Sequence, residues 1–303
     1  MSKFDILAIG HLNNDYIIEV EKFAKTNSSK EIKNLKIYDG GTAANVALVA
    51  AQLGLNTGFV SPIGSEFIGT KYFEKLKKND NCLAILKPIK DETTSTCFVF
   101  TDKNENQKSY IYDGASKYFN TLDVPSEHID EAEIVHITTA PPEYAIKCAK
   151  YAQENKKIVS FAPGQQLHYY TDDQILEILQ YTNIVFCNEY EHKYIYKICD
   201  PFDYQIALLI KTMGAKGSEI YCENDMYWEI SPVSAEVVDP TGAGDSYAAA
   251  FLCAYLYNVE ILTCGTFASA VASFIVEKKG CQTNMPTMED VKKRIGELSC
   301  LDQ

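Results

Sequence analysis

The stretch with the densest chemistry is Asp239-Pro-Thr-Gly-Ala-Gly-Asp-Ser-Tyr-Ala-Ala-Ala-Phe251. Pro240 has no N–H and confines Asp239 to extended geometry, so a strand cannot run through this point. Gly242, Ala243 and Gly244 follow, then a run of helix formers from Ala248 to Leu256. A loop that turns into a helix in this way leaves unpaired N–H groups at the positive end of the helix dipole. With almost no side-chain bulk at 242–244, an anion can lie directly against those groups. Asp245 has two readings. A carboxylate there can simply cap the helix. Beside an anion site, it can also take the proton of a hydroxyl that attacks a phosphoryl group.

Asp239-Pro-Thr-Gly-Ala-Gly-Asp-Ser resembles the signature of the ribokinase, or PfkB, family of sugar and nucleoside kinases. That resemblance implies an ATP-dependent kinase acting on an alcohol, with Asp245 as general base and Gly242, Ala243 and Gly244 as the anion hole. In the family, a Gly-Gly pair, an Asn and an aspartate after the first strand hold the substrate sugar. Gly40, Gly41, Asn45 and Asp15 match that pattern. Asn188-Glu-Tyr-Glu191 is similar to the family's Asn-x-x-Glu, which implies Asn188 near the nucleotide and Glu191 near Mg2+ through water. Without the resemblance, a Glu there simply favours a helix N-terminus. Thr212-Met-Gly-Ala-Lys-Gly217 resembles the nucleotide loop, which points to Thr212, Gly214 and Gly217; read alone, it is a strand-to-strand turn. We place it one strand before the signature loop. Many members also hold a potassium ion, mostly by backbone carbonyls, between Lys279–Pro286 and the loop at Asp239 and Thr241. The cofactors implied are thus ATP and Mg2+, with K+ as a further ligand of the family.

The elements that must position these residues read as one α/β domain. Phe4 to Gly10 is a buried first strand that ends at His11-Leu-Asn-Asn-Asp15, where ligands of an α/β sheet sit. Ala43 to Leu53 is a helix with Gly54 just past its end. Strands follow at Asn56–Pro62 and Cys82–Leu86, with a helix over Phe67–Lys77 between them, and Ile63–Gly69 is structural. Beyond residue 130, short apolar runs at Ile134–Thr138, Ile158–Ala162, Ile184–Cys187 and Ala207–Lys211 alternate with helices at 142–153, 171–180 and 189–198. A further helix covers 263–278. That alternation predicts a doubly wound, mostly parallel sheet flanked by helices. Residues 16–38 fit no helical period, and Thr96–Thr101 with Lys108–Tyr112 form a hairpin. We expect segments 14–38 and 91–119 to build a small β-sheet lid. In the family such lids often pair into a homodimer.

Composition narrows the partners. A net charge of −13 over 303 residues repels nucleic-acid backbones. No apolar run is long enough to span a membrane, and Met1 leads straight into a strand with no signal-peptide core. None of the ten cysteines is spaced as C-x-x-C, which fits free thiols in a reducing, cytoplasmic setting. No Gly-x-x-x-x-Gly-Lys-Ser/Thr motif is present, excluding a P-loop kinase, nor is there a Gly-x-Gly-x-x-Gly after the first strand. A nucleoside- or sugar-binding sensor is the non-enzymatic alternative, but it has no need of both an anion loop and Asp245.

The choice of acceptor rests on finer features. A sugar-phosphate kinase needs cations for the existing phosphate, and Arg294 is the sole arginine. Tyr110, Tyr112, Tyr118 and Phe119 make the lid hairpin aromatic and predict a face for a nucleobase, although they could equally fill the lid sheet or a dimer contact. Tyr112–Tyr118, Val135–Thr138, Ser160–Gln165 and Glu277–Asn284 look like the broad-specificity nucleoside kinases of the family. One departure is Ala162, where those relatives usually carry an acidic residue. The sequence therefore predicts phosphoryl transfer to a nucleoside 5′-hydroxyl, with a sugar or sugar-phosphate acceptor as the alternative.

Overall fold

The computed structural model describes residues 3–104, 106–223 and 226–296, so Met1–Ser2, Glu105 of the hairpin turn and Cys300 lie outside it. The strands are β1 (Phe4–Ile9), β2 (Asn13–Val20), β3 (Ile32–Gly40), β4 (Thr57–Gly64), β5 (Cys82–Ile89), β6 (Thr96–Thr101), β7 (Gln107–Tyr112), β8 (Ala132–Thr138), β9 (Ile158–Ala162), β10 (Ile184–Asn188), β11 (Leu208–Thr212), β12 (Ser218–Tyr221) and β13 (Tyr227–Ile230). The helices are α1 (Thr42–Gln52), α2 (Lys71–Lys77), α3 (Ser126–Asp130), α4 (Pro142–Glu154), α5 (Asp172–Leu179), α6 (Glu189–Ile198), α7 (Ala243–Leu256), α8 (Ile261–Ile275) and α9 (Met288–Ile295).

Nine strands form the main sheet in the order β13-β12-β11-β10-β9-β8-β1-β4-β5. It is parallel except where β12 and β13 return antiparallel at one edge. Alternation along each strand feeds two cores. Ile6 and Ala8 of β1 join Phe59, Phe186, Phe251 and Phe267 under α1, α7 and α8. Leu7 and Ile9 point the other way, to Val135, Tyr144 and Ile175 under α4 and α5. Because both faces are covered, the inner strands are near-continuous apolar runs, the pattern from which they were predicted. From β1 the chain builds outward through β4 and β5, then returns to the other side of β1 at β8. The gap between the ends of β1 and β8 is the switch point, where ligands of such sheets sit.

The second sheet, in the order β3-β2-β6-β7, is the small sheet expected from segments 14–38 and 91–119. Over 16–38 it shows the expected strands and loop outside the main sheet, with strands of eight and nine residues that are longer than expected. The helix expected at 67–77 is interrupted: Gly69 takes a positive φ of 86°, and Thr70 caps a fresh start by accepting from the Phe73 N–H. The helix of the signature begins at Ala243, five residues before the predicted run, so Gly244 and Asp245 already lie in its first turn. Two strands, β12 and β13, separate Gly217 from the signature loop where one was expected. The cysteines among the described residues are free thiols. No helix among them is long and apolar enough to cross a membrane.

Candidate active site

At the switch point lies a cavity of about 560 Å³. Of the residues singled out from the sequence it gathers Asp15, Gly41, Asn45, Asn188, Glu191, Thr212, Thr241, Gly242, Gly244 and Asp245. They arrive from six places: the start of β2, the N-termini of α1, α6 and α7, and the C-terminal ends of β10 and β11. Both α1 and α7 begin on a glycine at positive φ, Gly41 at 102° and Gly242 at 79°, with no side-chain cap. No side chain covers these two helix starts, although the Ala43 N–H donates to His11 O and the Ala243 N–H to Pro240 O, each at 3.2 Å. Close packing explains the glycines. A Cβ on Gly41 would strike the main chain at Leu12–Asn13, and one on Gly242 would strike the Cys281 thiol.

Two carboxylates dominate the electrostatics. Asp245 is held by the Asn45 side-chain amide, which donates to its Oδ2 at 2.8 Å. Burial raises its pKa from 3.8 to about 6, with the Asn45 bond working against the rise. Asp15 is raised to about 7, chiefly by burial and then by the charges of Asp245, Asp239 and Asp39. Carboxyls with pKa values near neutrality are suited to exchanging protons with hydroxyl groups. Ala162 also lines this cavity. A carboxylate there would add another negative charge to a site that already strains to keep two ionised.

Several expected residues stand back from the cavity. Gly40 serves Asp15: a Cβ at this position would overlap that carboxylate. The Ala243 N–H already donates to Pro240 O at 3.2 Å, leaving Gly242 and Gly244 as the members of the signature loop that line the cavity. Asp239 ties its loop to the C-terminal segment, its two oxygens accepting from the Thr241 and Gly280 N–H groups at 3.0 Å each. Gly214 and Gly217, at φ 57° and 91°, make the turn between β11 and β12. Asn188 and Glu191 form a reciprocal capping box on α6. Glu191 accepts from the Asn188 N–H at 2.9 Å and from its side-chain amide at 2.8 Å. Even so, Glu191 faces the cavity, and burial pushes its pKa up.

The lid corrects one expectation. Residues facing the cavity from β6 and β7 are Cys97, Val99, Ser109 and Ile111. Tyr110 and Tyr112 occupy the opposite parity, on the outer face, and are half exposed or more. Tyr118 donates to Glu92, and Phe119 is buried beneath His11, their rings stacked 5.7 Å apart. The tyrosines therefore do not line the pocket. Aromatic rings that do line it are Phe186 on β10 and Tyr169, with His168 and Gln166 beside the latter on the turn after β9. Sequence reading missed that trio, although Pro163-Gly-Gln165 pointed to the turn. It also missed His136, held through Nδ1 to Ser160 Oγ at 3.0 Å and kept neutral by burial, with a pKa near 3.

The profile of the pfkB family of carbohydrate kinases matches residues 3–288. The chain belongs to this family. Among pfkB relatives, a nucleoside kinase of Methanothermobacter thermautotrophicus is 42% identical over 298 residues, covering 96% of this chain and 95% of that protein. The crystal structure of Methanocaldococcus jannaschii nucleoside kinase, described as an archaeal member of the ribokinase family, superposes with a TM-score of 0.91 at 40% identity, covering 97% of this chain and 99% of that one. Arabidopsis thaliana ribokinase complexed with ribose and ATP gives 0.83 at 25% identity over 98% of this chain and 100% of the other. The large parallel sheet with its small companion sheet is the ribokinase-like fold, and membership of the family makes the protein an ATP-dependent phosphotransferase.

Proposed function

We propose that the protein transfers the γ-phosphoryl group of ATP to the 5′-hydroxyl of a nucleoside. The observation that carries this reading is the meeting, in one cavity, of buried Asp245 at the open N-terminus of α7 with Asp15 and Asn45. Asp245 accepts the proton of the attacking hydroxyl, and with a pKa of about 6 it is mostly ionised at neutral pH. The N–H groups at Gly242 and Gly244 stabilise the charge on the phosphoryl oxygens in flight. Asp15, Asn45 and the Gly41 backbone hold the ribose hydroxyls, while Asn188 and Thr212 border the nucleotide, with Gly214 and Gly217 shaping its outer edge. Lid closure keeps water from competing with the acceptor.

The residues present suit magnesium brought in with the nucleotide. Glu191 is a lone carboxylate fixed by its cap, and no cluster of three or more His, Cys, Asp or Glu able to hold a metal occurs among the described residues. Such an ion would neutralise phosphate charge, with Glu191 reached through water. A potassium ion beside Asp239 and Thr241 would be held by backbone carbonyls, since the Asp239 oxygens are engaged, and would offset that buried charge.

An acceptor without a phosphate of its own is favoured because, among the described residues, no Lys or Arg lines this cavity. The likeliest cations are occupied elsewhere: Lys108 lies over Phe23, Lys117 pairs with Glu92, and Arg294 bonds Ser273 and Glu277. The assembly proposed is a homodimer through the outer lid face, where Tyr110, Tyr112, Leu35 and Ile37 expose apolar surface. The protein's cellular setting is read as cytoplasmic. An ATP-consumption screen over inosine, cytidine, adenosine, ribose and fructose 6-phosphate, with the product identified by mass, tests the acceptor. A nucleoside 5′-monophosphate is expected. A sugar or sugar phosphate favoured tenfold or more in kcat/KM (about 1.4 kcal/mol) would replace the nucleoside reading with the sugar-kinase one.

A further inference from the structure

Behind Asp245 runs a chain of side-chain hydrogen bonds with one direction. Lys75 on α2 donates to Gln282 Oε1 at 3.3 Å and to Asp39 Oδ2 at 3.0 Å. Gln282, in the turn Cys281–Thr283, uses its Nε2 to reach Asn45 Oδ1 at 3.0 Å and the Tyr72 hydroxyl at 2.7 Å. Tyr72 donates onward to Gly40 O at 3.0 Å. Asn45 then presents its Nδ2 to Asp245 Oδ2 at 2.8 Å.

The polarity of this chain is fixed at its outer ends by groups with only one role. An ammonium can only donate, so Gln282 must turn its oxygen to Lys75. A backbone carbonyl can only accept, so Tyr72 gives its proton to Gly40 and must receive from Gln282. Both constraints leave the Gln282 amide in the same orientation. Asn45 therefore accepts from Gln282 and has its NH2 aimed at Asp245. In a flipped Asn45, a carbonyl oxygen would face the carboxylate and repel it.

We infer that Gln282, locked by Lys75 and Tyr72, is a positioning residue that fixes the Asn45 amide so that it donates to the catalytic base. None of the three need touch substrate. Gln282 is buried, whereas Lys75 is half-exposed on the protein surface, so the outer lock can be removed without opening the core. This inference rests on the base role proposed for Asp245. It is indifferent to the acceptor, so whichever alcohol the parent protein phosphorylates serves in the test.

The test is steady-state kinetics of Gln282→Glu, Gln282→Met, Lys75→Met and the Lys75→Met/Gln282→Met pair, with thermal midpoints measured alongside. Gln282→Glu keeps the shape and can pair with Lys75, but as a carboxylate it cannot donate to Asn45. Both Gln282 variants should lower kcat by about tenfold or more, the scale of small misplacements of a reacting group, with KM for ATP within about twofold. Lys75→Met should lower kcat by a smaller factor without moving either KM. The pair should be no worse than Gln282→Met alone, because members of one chain do not act additively. Should Gln282→Met fold poorly, Gln282→Glu and Lys75→Met still decide the matter. Unchanged kcat in Gln282→Glu and Lys75→Met, or a loss in every variant confined to KM for ATP and the thermal midpoint, would overturn the relay and leave Gln282 a brace for the C-terminal segment.

Discussion

Asp15→Asn should make the protein more stable, and by an amount that depends on pH. The carboxyl of Asp15 sits at about 7 in the folded chain against 3.8 unperturbed, with burial as the largest cause and the neighbouring Asp245, Asp239 and Asp39 charges next. Below pH 3.8 both folded and unfolded chains hold its proton, and it has no effect on the folding equilibrium. As pH rises toward 7 the unfolded chain releases the proton while the folded chain keeps it, so folding is progressively disfavoured. The interval of about three pH units, at about 1.4 kcal/mol each, gives an upper limit of about 4 kcal/mol above pH 7. Roughly half of this builds up between pH 5 and pH 7. Asparagine has the same shape, cannot ionise, and can donate to the surrounding carboxylates. Urea unfolding of both proteins without ligand, at pH 5 and pH 8, is the assay. The variant's advantage should grow by about 2 to 3 kcal/mol between the two pH values. A variant that is no more stable than the parent at pH 8, or whose advantage is the same at both, would mean that Asp15 is not a strained buried acid.

Asp245→Asn should cut kcat by about a hundredfold or more, with nucleoside KM nearly unchanged, as expected for loss of a general base; turnover near the parent's in a folded variant would remove Asp245 from that role. Because Asp245 must be ionised and sits near 6, kcat for the parent should fall about tenfold per unit below pH 6 and level off above it, and a profile flat down to pH 5 would contradict this. If Asp15 and Asn45 hold the ribose, 2′-deoxyinosine should be a much poorer substrate than inosine, and equal kcat/KM for the two would count against that assignment. Tyr110→Ala and Tyr112→Ala should leave nucleoside KM within about twofold while Ile111→Ala raises it, since only the last faces the cavity; the reverse ranking would return the tyrosines to the nucleobase.

Legibility followed physical locality. The parallel strands could be read because burial on both faces makes them continuous apolar runs, and the signature loop because its glycines and helix start lie within a dozen residues. Of the two strands β12 and β13 only one was expected: at four residues each they are too short for alternation to separate them. Parity misled the reading of the lid. Alternation and a polar turn located the hairpin correctly, but a strand sends alternate residues to opposite faces, and Cys97 and Val99, not Tyr110 and Tyr112, share the side of Asp15. Register supplies that fact, and register is set by pairing with β2. Gln282 was beyond reach for a different reason. Its bond to Asn45 joins residues 237 apart in the chain, and nothing local in Cys281-Gln-Thr283 distinguishes it from a surface turn.

The two helices that open on the cavity are lined with alanine where they are buried: Ala43, Ala44, Ala47, Ala50 and Ala51 on α1, and Ala248, Ala249, Ala250 and Ala254 on α7. Side chains this small leave no room to adjust. Any enlargement would wedge the helices apart and separate Asn45 from Asp245, so this half of the pocket is closed to gradual remodelling. The strands of the small sheet and the turn bearing Gln166 and Tyr169 are under no such constraint, since their side chains project from backbone that is not pinned helix against helix. A lineage in search of new acceptors would thus find its tolerated changes on the lid and that turn. Laboratory evolution of this enzyme toward an unfamiliar alcohol would do best to randomise Val99, Ser109, Ile111 and Tyr169, and to leave every alanine of α1 and α7 in place.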